Sequence, residues 1–159
     1  MIMWQRILVA TDGTDSAHAA ATQAIALAKL SKAQLFAVFV TDPVDFDQDM
    51  ADQMALIGTT ELKRLKQEAL AQEISLQGEL RSGEPVAEIL AMAKTMQADL
   101  IVVAPHHQDF FYRLLIQQSV SDRVIHQATQ SILMINALPQ PSEAASVSGL
   151  AVLNPLEQT

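Results

Sequence analysis

Asp12 follows a short run of branched apolar residues, Ile7-Leu-Val-Ala-Thr11, and precedes Gly13. An aspartate at such a strand end can contact a bound ligand, and Asp-Gly is equally a pair that turns prefer, so both roles are open. A second candidate group is His106-His-Gln-Asp-Phe110, which follows Asp99-Leu-Ile-Val-Val103 and Ala104-Pro105. His106 and His107 have metal-ligating chemistry, with Asp12 or Asp109 as further donors. Adjacent residues of an extended loop point in different directions, however, and a site needs another ligand placed by the fold. Hydrogen bonds that order the loop, with Phe110 and Phe111 as apolar anchors, are the expected role. Ser119 and Asp122 have capping-box-like spacing, so a helix is expected to begin near Ser119. Its first N–H groups, with the Ser119 hydroxyl, suit an anion. No serine sits in a nucleophile elbow and no carboxylate pair stands out, which leaves acyl transfer and glycoside hydrolysis without support. His18 and His126 have helical surroundings and read as structural.

The elements that must position these residues follow from periodicity. Arg6 to Thr11, Leu35 to Val40 and Asp99 to Val103 are continuous apolar runs closed by Asp-Gly or by proline, the pattern of buried parallel strands. Ile74, Leu76 and Leu80, bounded by Ser82-Gly83, suggest a further strand, and Ile132 to Ile135 a fifth. Between them, Ser16 to Leu30 carries Ala17, Ala20, Ala24, Leu27 and Ala28 at helical spacing. Leu62, Leu65 and Ala69 mark a second helix whose polar side holds Glu61, Lys63, Arg64, Lys66 and Glu68, with Gly58 obscuring its start. Pro85 suits the first turn of a third helix lined by Val86, Ile89, Leu90 and Ala93. A short helix from Phe110 to Ile116 is expected before the last one. Five strands alternating with helices predict a doubly wound, open five-stranded parallel sheet with helices on both faces. Its ligand site would lie beyond the carboxyl ends of the strands, at Asp12 to Ser16, Val40 to Asp42 and Ala104 to Ser119.

Length and composition set the bounds. The chain has 159 residues, half of them apolar, enough for one core but not for two ordinary domains. Residues 1–138 are expected to form the domain and 139–159, with Pro139, Pro141 and several serines, a flexible tail. There is no cysteine, which excludes disulfides, thiolate metal sites and cysteine nucleophiles, and agrees with a reducing, cytoplasmic setting. The N-terminus lacks the long hydrophobic stretch of a signal peptide, and no apolar run approaches the roughly 18 residues of a spanning helix, so no membrane association is expected. The net charge is −8, part of it in Asp42, Asp45, Asp47, Asp49 and Asp52. That cluster would repel a phosphate backbone, which argues against nucleic acid, and its spacing does not fit a calcium loop. A solvated loop is expected there. The seven methionines, among them Met92, Met96 and Met134, read as adaptable packing.

Taken in order, Ile7-Leu-Val-Ala-Thr-Asp-Gly13, Leu35 to Val40, Gly83-Glu-Pro85, Asp99 to Val103 and Ser119-Val-Ser121 resemble the universal stress protein family from Met3 to about Asn136. The resemblance implies a nucleotide pocket built from Asp12, Val40, Ala104, His106 and Ser119. It also implies a homodimer in which the last strand, Ile132, Leu133, Met134 and Ile135, meets its copy. ATP-binding members resemble one another in a G-x-x-G stretch after the fourth strand, then nine residues, then G-S or G-T. Here the glycine positions are taken by Ala104, by His107 or Gln108, and by Gln118, and only Ser119 of the motif remains. Side chains there obstruct both the close approach of a phosphate and positive φ. The replacing segment, His106 to Phe110, is similar to the universal stress protein A branch, which lacks the ATP signature. Asp12-Gly-Thr-Asp-Ser16 is only distantly similar to the pyrophosphate loop of ATP pyrophosphatases, because the glycine pair is missing.

What this implies is a non-catalytic, dimeric stress-response protein that acts through protein partners and does not depend on ATP or another cofactor. Two alternatives remain open. One is a nucleotide-sensing universal stress protein that keeps ATP through a rearranged loop; the other is an adenine-nucleotide-dependent enzyme on the same fold.

Overall fold

The computed structural model describes residues 3–43, 47–105 and 120–136. Five strands, β1 (Arg6–Thr11), β2 (Gln34–Thr41), β3 (Leu76–Ser82), β4 (Leu100–Val103) and β5 (Ser131–Met134), form one sheet in the order β3-β2-β1-β4-β5. Every neighbouring pair is parallel. The connecting helices are α1 (Asp15–Ser31), α2 (Gln48–Ala71), α3 (Pro85–Thr95) and α4 (Val120–Gln127).

Alternation along the strands divides the core into two layers, because successive side chains of a strand face opposite sides. Ile7, Val9, Leu35, Ala37, Phe39, Leu100 and Val102 pack under α1 and α2. Leu8, Phe36, Val38, Ile101 and Val103 pack against α3 and, through Val124, α4. The central strands are therefore buried on both faces, which is why they read as unbroken apolar runs. Alanines on α1 (Ala17, Ala20, Ala21, Ala24 and Ala28) are buried, so small side chains let this helix lie close to the sheet. The doubly wound sandwich expected from the sequence is the fold observed.

Two local expectations change. Part of the expected aspartate loop is helix: α2 begins at Gln48, well before Gly58, and contains Asp49 and Asp52. The Asp47 carboxylate caps it, accepting a hydrogen bond from the Met50 N–H at 3.0 Å. Aspartates suit a first turn because its N–H groups lack intrahelical acceptors and its dipole end is positive. Gly58 lies inside the helix, buried. A Cβ there would stand 2.6 Å from both Leu80 Cδ1 and Phe39 Cδ1, so the glycine lets α2 pack onto β2 and β3. β5 lies at a sheet edge, with Ile132 and Met134 packed toward one layer and Ile135 toward the other. Pairing continues just past the strand, where the Ile135 N–H donates to the Val103 carbonyl at 2.9 Å. The expected Phe110 to Ile116 helix, the phenylalanine anchors and the tail lie outside the described residues.

Candidate functional site

Strand order reverses beside β1, whose neighbours β2 and β4 come from opposite directions along the chain, and in such sheets the crevice beyond the carboxyl ends of the strands receives ligands. Register decides which residues meet there. Thr11 pairs with Phe39, which sets Asp12 beside Val40, and Val9 pairs with Val102, which sets Ala104 level with Thr11. Asp12 is exposed, while Val40 and Ala104 are half-buried. Three of the five pocket residues expected from the sequence thus share one edge. The other two, His106 and Ser119, lie outside the described residues.

The polar groups along this edge make bonds within the chain. Asp12 Oδ1 accepts from the Thr14 N–H at 3.0 Å and from the Thr14 hydroxyl at 2.6 Å. Gly13 adopts φ +80°, a left-handed turn conformation that glycine takes without a Cβ penalty. Thr14 then caps α1, its Oγ1 accepting from the Ala17 N–H. Both readings of Asp12 therefore start from a side chain that orders the turn. Across the crevice, the Ser121 hydroxyl donates to the Ala104 carbonyl at 2.6 Å, which ties the exit of β4 to the start of α4. Arg123 donates to Glu84 at 2.7 Å, joining α4 to the cap of α3. Partial burial acts to raise the Glu84 pKa, but hydrogen bonds from the Ala87 and Val86 N–H groups, with Arg123, outweigh it and hold this carboxyl below its ordinary value.

Periodicity placed Glu61 on the polar side of α2, and the structure corrects this. Glu61 is only 7% exposed and accepts a hydrogen bond from the buried Thr11 hydroxyl at 3.3 Å. Arg64 neutralises it, with Nη2 at 2.7 and 2.6 Å from the two carboxylate oxygens. Arg64 also contacts His18 and Glu68, so four ionisable side chains join α1 to α2 immediately behind the β1 turn. The Gly13 N–H, donating to Thr11 Oγ1 at 3.2 Å, links that cluster to the turn. The sequence signal was the (i, i+3) pairing of Glu61 with Arg64; which member was buried depended on the contact of Glu61 with Thr11, fifty residues away in the chain. His18 is half-buried and His126 exposed, both on helices as expected. Among the described residues no group of three His, Cys, Asp or Glu is placed to hold a metal ion, and no helix is long and apolar enough to cross a membrane.

Comparison with known proteins agrees with this architecture. The sequence profile of the universal stress protein family matches residues 3–136. Universal stress protein MJ0531 of Methanocaldococcus jannaschii is 29% identical over 141 residues, covering 84% of this chain and 82% of the relative. The structure of universal stress protein UspA from Lactobacillus plantarum has a TM-score of 0.73 at 25% identity, over 82% of this chain and 97% of that one. A universal stress protein solved in complex with cAMP has a TM-score of 0.68 at 24% identity, over 83% and 97%, a likeness of fold. With the profile covering nearly the whole described chain, and a parallel five-stranded sheet in the order that brings Asp12, Val40 and Ala104 together, this protein belongs to the universal stress protein family.

Proposed function

We propose that this chain is a non-catalytic universal stress protein that works as a homodimer in the cytoplasm, engages protein partners and does not depend on ATP. The observation that carries the reading is the absence from the sequence after β4 of the glycines that cradle phosphate in ATP-binding members. Ala104, His107 or Gln108, and Gln118 stand at the glycine positions of ATP-binding members, and no lysine occurs between Ala104 and Ile135. A triphosphate needs several backbone donors at close range, which glycine permits and side chains obstruct. Arg113 and Arg123 are the cations of that stretch, accompanied by Asp109 and Asp122, and Arg123 is engaged with Glu84. The Ser121 bond to Ala104 further supports a strand exit held by its own chain.

The dimer reading rests on β5. Among the described residues no strand pairs with its outer edge, and Leu133 is 36% exposed between residues that pack inward. An apolar edge strand invites pairing, and a second copy would cover it. The residues at the family's pocket positions, Asp12, Val40, Ala104, His106 and Ser119, would serve ATP if the nucleotide-sensing alternative held. Extracting freshly purified protein and identifying any nucleotide it carries tests the choice. No stoichiometric nucleotide is expected, and ATP near one per subunit would favour the alternative.

A further inference from the structure

The first half of α2 presents apolar side chains that are exposed among the described residues. Met50 is 48% exposed, Leu56 68% and Ile57 49%. Met50, Met54 and Ile57 recur at i, i+4 and i+7 and so share one face, while Leu56 is turned about 100° from Ile57 onto the outer side of the helix, at i+7 from Asp49 and i+4 from Asp52; Met54 is half-buried against the core and anchors the first face to it. Isolated exposed apolar residues are ordinary, whereas several grouped on one helix mark an interaction surface. Methionine adapts its shape to different apolar partners.

The charge around this face points to the occupant. Asp47, Asp49 and Asp52 are exposed at its N-terminal end, and no lysine or arginine occurs between Lys32 and Lys63. An apolar helical face with an acidic border matches an amphipathic helix with apolar residues on one side and lysine or arginine beside them. Two other occupants fit less well. The segment 137–159 contains Glu143 and Glu157 and no basic residue. A second copy meeting this face with its own would set aspartates against aspartates.

We propose that the exposed surface of the first half of α2, with Met50, Met54 and Ile57 on one side and Leu56 on the outer side among Asp49 and Asp52, is a docking surface for a basic amphipathic helix of a partner protein. The proposal rests on the reading of the chain as a protein-binding module and names the surface and the partner chemistry. The face adjoins the β1 turn, since Ile57 Cγ2 lies 3.8 Å from where a Cβ on Gly13 would stand. A docked helix would therefore cover one side of the crevice.

The test uses the full chain and an 18-residue peptide of leucine and lysine with leucines at helical spacing, beside a scrambled peptide of the same composition. Calorimetry should give a micromolar dissociation constant for the patterned peptide and at least tenfold weaker binding for the scrambled one. Leu56→Ser with Ile57→Ser should weaken binding tenfold or more, and Asp49→Asn with Asp52→Asn should weaken it and flatten its salt dependence. A photo-crosslinking residue at Gln53 should capture the patterned peptide. Equal binding of the two peptides, or indifference to both pairs of substitutions, would overturn the proposal. So would crosslinks from Gln53 to a second copy or to residues 137–159. Titrating ATP into the same preparation separates the two readings: tight ATP with peptide binding retained contradicts ATP independence alone, and weak ATP without peptide binding contradicts the docking surface alone.

Discussion

Replacing Gly58 with alanine should destabilise the protein, although alanine is the better helix former by about 1 kcal/mol. The added Cβ would stand 2.6 Å from Leu80 Cδ1 and 2.6 Å from Phe39 Cδ1, with Phe39 Cε1 at 3.0 Å. Leu80 is partly exposed and its end can rotate away, but the Phe39 ring is buried in the first layer and has little room. Overpacking of this kind costs typically 1–3 kcal/mol, so against the helical gain the net loss should be about 1 kcal/mol. In a domain of this size that corresponds to a fall in Tm of roughly 2–4 °C. Urea unfolding followed by circular dichroism should show a lower midpoint at unchanged slope. Because Leu80 shares the contact, Leu80→Ala combined with Gly58→Ala should cost less than the sum of the two changes. A higher midpoint for Gly58→Ala would refute the close approach of α2 to β2 and β3.

Three further outcomes follow from the same geometry. Arg64→Met should leave Glu61 buried with only the Thr11 hydroxyl, costing on the order of 2 kcal/mol, and Glu61→Gln in that background should restore part of the loss; no change in urea midpoint for Arg64→Met would contradict the pairing. Leu133→Lys puts a charge on the exposed side of β5 and should yield folded monomers in sedimentation equilibrium, while an unchanged dimer at micromolar concentration would count against that interface. Glu84 has a lowered pKa in the folded chain, so its contribution is present above the ordinary carboxylate value and is lost as pH falls through the folded one. Glu84→Gln should accordingly lower stability near neutral pH and narrow the gap to wild type in acid, and a gap that widened in acid would reverse the sign of this argument.

The parts of the fold legible from sequence were those where both sides of an element share one environment. β1, β2 and β4 are buried on both faces, so their residues had to be apolar throughout, and turn residues or proline closed each run. The start of α2 was obscured because its first turns carry aspartates and its interior a glycine, both of which ordinarily signal loops. Asp47 is there for capping and Gly58 for packing against Phe39, a contact between residues far apart in the chain. Glu61 was misplaced for a related reason: its burial depends on Arg64 and Thr11 rather than on its own polarity. At the candidate site, the general rule for open parallel sheets led to the segments that begin at Asp12, Val40 and Ala104, the family resemblance singled out these residues, and register brings the three to one edge. The bond of Asp12 to Thr14 is the local turn that an aspartate before glycine favours, whereas the tie of Ser121 to Ala104 spans 17 residues and is set by how α4 returns to β4.

Titration of ATP with magnesium into the full chain, followed by calorimetry, tests the proposed ATP independence most directly. With the phosphate-contacting glycines replaced and Arg123 paired with Glu84, the dissociation constant should lie above about 100 μM, equivalent to less than roughly 5.5 kcal/mol. A saturable low-micromolar isotherm with one ATP per subunit would contradict the account and assign the crevice beside β1 to nucleotide.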